Sequence, residues 1–129
     1  MRVNFRSNRF DTASELPEGS FRGEDVAKWF DRQLSGWKTS VVGEDWGWAI
    51  VAKKDDLDYV FGIYDHDTDE VNENGPIWVI RLFNRKDRSK WFLKLFKNIA
   101  PVTHDAVLAE VVGILKRADG VSEVGVEPL

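Results

Sequence analysis

The chain has 129 residues, a formal net charge of −4 and no cysteine. This length predicts a single domain over residues 1–129, and the lack of cysteine excludes disulfides, thiolate metal ligands and cysteine nucleophiles. No apolar run has the length of a signal peptide or a transmembrane helix, so we predict a cytoplasmic protein that does not bind membranes. The negative charge disfavours nucleic acid as a partner.

The first elements in chain order are a strand and a helix. Alternation of basic or polar residues with apolar residues over 2–7 predicts the strand. A helix is predicted from about residue 22 to residue 35, because Val26, Trp29 and Phe30 recur at helical spacing and Gly36 follows as a stop.

Four short apolar runs follow, and short turn-rich segments connect most of them; they cover residues 37–42, 46–53, 57–65 and 76–84. Short connections predict an antiparallel meander. A lysine-bearing amphipathic helix is predicted over 87–100, then a last helix that Thr103 caps and Gly120 ends, then an edge strand over 122–127. The predicted class is α+β, with an antiparallel meander sheet of about four to six strands and helices packed on one face.

Neither face of the predicted strands is polar. Period-two alternation places Trp46, Trp48 and Ile50 on one face and small residues on the other. A half-solvated sheet would alternate apolar with polar residues, so both faces are predicted to be partly covered. We therefore expect a ligand, a partner or a second copy of the chain on the face that carries Tyr64 and Arg81.

The segment EDWGW, residues 44–48, sets two acids against two tryptophans. One interpretation is an acidic, aromatic surface for a basic partner or a sugar; the other is a hairpin turn whose tryptophans belong to the core. Further acids follow in the loop, and the predicted partner-binding set is Glu44, Asp45, Trp46, Trp48, Asp65, Asp67 and Asp69.

No metal site, cofactor or catalytic residue is predicted. The loop that begins at Asp65 has aspartates at alternate positions, as calcium loops do. Glu70 and Pro76 stand where such a loop needs glycine and a bidentate glutamate, so the pattern fails. The basic segment 81–97 could contact nucleic acid or a membrane, but a lysine stripe at this spacing is typical of the solvated face of a packed helix.

The helical segment GEDVAKWFDRQLSGW followed by EDWGW resembles a group of small, uncharacterised bacterial single-domain proteins over about residues 20–85. In general style the chain is also similar to immunity proteins, which neutralise a cognate toxin. These resemblances imply a small binding protein and no catalytic residue.

The sequence thus favours a non-enzymatic protein-binding module that meets a basic patch on another protein through its acidic, Trp-bearing surface, and an immunity or inhibitor protein is the most specific form of this prediction. The alternative is a small-molecule or enzymatic pocket around Arg81 and Tyr64, since an arginine amid apolar strand neighbours needs a counter-charge. If Glu44 supplies that counter-charge within the protein itself, the argument for a pocket is weaker. A homodimer through the same face is a third possibility.

Overall fold

A computed structural model of the chain describes residues 1–10, 22–44, 46–54, 56–66, 71–83 and 105–127. The elements within these residues are β1 (Arg2–Ser7), α1 (Glu24–Gln33), β2 (Lys38–Glu44), β3 (Gly47–Lys54), β4 (Leu57–Asp65), β5 (Ile77–Phe83), α2 (Asp105–Arg117) and β6 (Val121–Glu127). They confirm the predicted α+β class, the strands and two of the helices. The helix predicted over 87–100 and the cap at Thr103 lie outside the described residues.

The six strands form one antiparallel sheet in the order β2-β3-β4-β5-β1-β6. Strands β2 to β5 are the predicted meander, with each strand paired to the next along the chain. Strand β1 inserts between β5 and β6, and the predicted edge strand is β6. Strand β1 therefore pairs only with strands that are far from it in sequence.

The two helices pack on one face of the sheet. Helix α1 begins with Glu24 and Asp25 in its first turn, where the helix dipole favours acids, and the Lys28 ammonium lies 2.6 Å from the Glu24 carboxylate. Its buried stripe contains Trp29 and Phe30, and α2 contributes its own apolar residues to the same core. Neither of these described helices is long and apolar enough to cross a membrane.

Most of the described tryptophans belong to this core. Trp29, Trp37 and Trp78 are buried, and Trp48 packs against them from the start of β3. Four of the six tryptophans therefore fill the space between the helices and the sheet, which is the expected use of a large apolar side chain.

Trp46 is the exception, and here the predicted alternation is wrong. Trp46 lies on the opposite face from Trp48, because β3 begins only at Gly47 and Trp46 belongs to the turn that precedes it. The pleat of the strand therefore does not extend to Trp46. We call the face remote from α1 and α2, where Trp46 lies, the second face.

The second face is apolar and largely buried at its centre. Ala49, Val60 and Val79 are at most 2% exposed, and none of them belongs to the core beneath the helices. This agrees with the prediction that both faces of the sheet are partly covered. The centre of the second face is the location of the candidate site.

Candidate functional site

The rings of the site pack over small residues in the middle of the second face. Ala49 of β3 lies opposite Gly62 of β4, and Gly62 lies opposite Arg81 of β5. A Cβ atom on Gly62 would lie 2.7 Å from Cε2 of Phe83 and 3.0 Å from Cη2 of Trp46. Glycine is needed at residue 62 because two aromatic rings occupy the space that any side chain would take.

Three aromatic side chains form the walls. The ring centroids of Trp46 and Tyr64 are 6.2 Å apart, with the ring planes at 89°. Trp46 also meets Phe83 at 5.9 Å and 64°. Edge-to-face contacts of this kind are favourable because the positive ring edge meets the negative ring face. Trp46 thus connects the two other rings and holds them as one unit.

Arg81 places a positive charge among these rings. Its guanidinium carbon lies 4.6 Å from the centroid of the Phe83 ring, two residues further along the same strand face. A guanidinium in this position is stabilised by roughly 0.5–2 kcal/mol through the ring quadrupole. Contact with the ring restricts the guanidinium, whose N–H donors suit a carboxylate or phosphate oxygen.

These four side chains, Trp46, Tyr64, Arg81 and Phe83, line a cavity of about 290 Å³. We call it the second-face cavity. Sites for drug-sized ligands occupy roughly 300–1,000 Å³, so this cavity suits a smaller molecule of one or two rings. Apolar walls with one guanidinium can bind a flat, partly apolar anion.

The turn between β2 and β3 positions Trp46. Gly47 has a φ of 155°, and a Cβ on it would lie 2.6 Å from the carbonyl oxygen of Ile63. Glycine therefore lets β3 approach β4 closely where the turn closes. This approach lets the Trp46 ring lean over Gly62 instead of continuing the pleat.

A polar cluster ties β6 to the segment that precedes β5. The Glu123 carboxylate lies 3.2 Å from Nε of Arg6 and accepts a hydrogen bond from Asn72 at 3.1 Å. Hydrogen bonding from Asn72 is the main reason that the pKa of Glu123 is lowered, with Asn74 and Arg6 acting in the same direction and burial opposing them. Glu123 has a φ of 52°, which a non-glycine residue rarely adopts.

The structure divides the predicted partner-binding residues between the two faces of the sheet. Trp46 lies on the second face, and Glu44 shares that face by its place in the β2 register, while Trp48 packs against the core. Asp65 is paired with the core residue Trp78, so it belongs to the helix face, and it is exposed at the strand end. Asp45, Asp67 and Asp69 lie outside the described residues.

The predicted pocket residues, by contrast, lie together. Tyr64 and Arg81 line the same cavity, as the alternative interpretation of the sequence expects. Phe83 was not predicted as a lining residue, although its position two residues after Arg81 places it on the same strand face. Within the described residues, no three histidine or acidic side chains are grouped as metal ligands would be.

Comparison with known proteins gives no relative: no family model, no curated protein and no solved structure matches the chain. Function is therefore inferred from the geometry of the site itself.

Proposed function

We propose that this protein is a small-molecule-binding domain whose ligand is a planar organic anion held in the second-face cavity. The observation that supports this most directly is the grouping of Trp46, Tyr64, Phe83 and Arg81 around a single cavity of about 290 Å³. The rings offer apolar surface to a flat molecule, and the stacked guanidinium offers a charged donor. These are groups that bind and orient a ligand, so we propose binding as the activity.

The position of Arg81 gives the ligand a direction. Trp46 lies in the turn between β2 and β3, whereas Arg81 lies further across the sheet, in the strand next to β1. An anionic group would be attracted toward Arg81. The ring of the ligand is therefore expected near Trp46 and its anionic group near Arg81.

The test compares an acid with its uncharged amide. We expect 2-naphthoate to bind to the wild-type protein and 2-naphthamide to bind at least about tenfold more weakly, since a hydrogen bond to a charged group contributes about 1.5–3 kcal/mol. Isothermal titration calorimetry measures both affinities directly. Equal binding of acid and amide would contradict a role for Arg81, and absence of binding would contradict the site.

Two substitutions make the test specific. Arg81→Gln removes the cation from the cavity and should reduce naphthoate affinity to that of the amide. Arg32→Gln removes an equal charge from the exposed surface of α1, on the other side of the sheet, and should leave affinity unchanged. An equal loss of naphthoate affinity in both variants would indicate that the net charge of the protein, and not a specific site, controls binding.

Masking of a basic partner protein, in the manner of an immunity or inhibitor protein, stays a prediction. Trp46 and Trp48 lie on opposite faces of the sheet, so they cannot both belong to one partner-binding surface. For this reason we favour ligand binding in the cavity over partner binding by the EDWGW segment. The homodimer also stays a prediction. Cytoplasmic localisation likewise stays a prediction.

A further inference from the structure

The second face carries another arginine directly beside Arg81. Strands β1 and β5 are paired so that Arg2 lies opposite Arg81, and the Leu82 N–H donates to the carbonyl of Met1 at 2.9 Å, which extends the pairing past Arg2. The neighbours Val3 and Leu82 are buried in the core. Alternation along each strand therefore places both arginines on the second face.

This pairing sets two like charges side by side. Opposed residues in an antiparallel pair are separated by about 4.5–5.5 Å between Cα atoms, and like charges directly opposite each other are unfavourable. On the far side of Arg2, its Nη2 lies 3.0 Å from the carboxylate of Glu127 in β6, and both side chains are partly exposed to solvent. An exposed ion pair contributes little to stability, so a better anion can replace it.

Arg2 also retains a donor for such an anion. In the part of the chain that the structure describes, its Nε is shielded from solvent and has no hydrogen-bond partner. A buried donor without a partner is costly, and an acceptor that reached it would remove that cost. Arg2 is thus held on one side by an exchangeable carboxylate, and its partner in the strand register on the other side is Arg81, the cation of the cavity.

We propose that the ligand's anionic group is a phosphoryl group, bound jointly by Arg81 and Arg2, so that the ligand is a phosphate monoester of a planar ring. This inference rests on the proposed function and specifies its substrate class. A phosphate monoester carries a charge of about −2 and three acceptor oxygens above its second pKa of about 6, which matches two guanidinium groups. A carboxylate, with one charge, is satisfied by Arg81 alone.

The test uses two probes of nearly the same shape. Phenyl phosphate and benzenesulfonate both attach a tetrahedral anion to one ring, but the phosphate is dianionic and the sulfonate monoanionic at about pH 8. For the wild-type protein we expect phenyl phosphate to bind about tenfold more tightly at about pH 8. The ratio should approach one at about pH 5, where the phosphate also carries a single charge.

Two variants test whether Arg2 contacts the ligand or serves only as one half of the ion pair with Glu127. Arg2→Gln and Glu127→Gln break the same ion pair, yet we expect opposite effects on binding. Arg2→Gln should weaken phenyl phosphate binding by about fivefold and leave benzenesulfonate unchanged. Glu127→Gln releases Arg2 from its competitor and should strengthen phenyl phosphate binding by about two- to fivefold.

The outcomes distinguish this inference from the proposed function. If both probes bind to the wild type with equal affinity, or if both variants weaken phenyl phosphate alike, the phosphate assignment is overturned while the planar-anion site stands. If neither probe nor 2-naphthoate binds, the site itself is overturned. The pH dependence of the wild-type ratio requires no substitution, so the test holds even if Arg2→Gln does not fold.

Discussion

Gly62 is the position where the smallest chemical change should disturb the cavity most. Substitution with alanine adds one carbon atom, 2.7 Å from Cε2 of Phe83 and 3.0 Å from Cη2 of Trp46. Unbonded carbon atoms are stable at about 3.5–4.0 Å, so the Phe83 ring must recede by about 0.8 Å. Phe83 is itself buried, and the movement therefore displaces its own neighbours.

Two opposing terms set the size of the effect. Overpacking of this kind costs about 1–3 kcal/mol, while alanine is favoured over glycine in a strand by about 0.5–1 kcal/mol. The free energy of unfolding of Gly62→Ala should therefore fall by about 1 kcal/mol, which corresponds to a Tm lower by about 4 °C. Loss of one aromatic contact should also weaken 2-naphthoate binding by about three- to tenfold.

Gly125→Ala is the matched control, because Gly125 also lies in a strand and a Cβ there meets nothing within 4 Å. This variant should be as stable as the wild type or slightly more so. Urea unfolding and calorimetric titration of both variants measure the two effects. A Gly62→Ala protein with unchanged stability and affinity would refute the close packing of the rings over Gly62.

Three further predictions concern stability. Asp56→Gly should raise the free energy of unfolding by about 0.5–1 kcal/mol in urea titrations, because Asp56 has a φ of 62° that glycine adopts without strain; a lower value would contradict this. Ser7→Ala should cost about 1–3 kcal/mol by the same measurement, since the buried Ser7 hydroxyl donates to the carbonyl of Gly120 at 2.6 Å. Glu123→Gln should be less stable than the wild type near neutral pH, and urea titrations over a pH series should show the difference vanish as pH falls through the lowered pKa of folded Glu123.

The meander could be predicted because its strands and turns are each specified by residues that are close together in sequence. Strands β2 to β5 are short apolar runs between turns, and each pairs with the next in sequence. The predicted last helix and edge strand are also present as α2 and β6. The position of β1 between β5 and β6 could not be predicted, because no pattern within residues 2–7 specifies which distant strand will be its neighbour.

The site was predicted in part for the same reason. Period-two alternation places Tyr64 and Arg81 on one face, and it also places Phe83 there, although no pattern in the sequence selects that ring. Trp46 was placed on the wrong face because alternation was extended into a turn. The presence of Arg2 beside Arg81 depends on the long-range pairing of β1, which only the structure reveals.

The insertion of β1 has a consequence for the order in which the protein assembles. The meander from β2 to β5 consists of contacts between near neighbours in sequence, which form quickly, whereas pairing Arg2 with Arg81 or Glu127 closes most of the chain into a loop and is slow. Gly62 and the rings of Trp46, Tyr64 and Phe83 all belong to the meander or its turns. The lining of the cavity can therefore form early during folding, while Arg2 comes to lie opposite Arg81 only when β1 docks. The row of two arginines is thus a property of the fully folded chain.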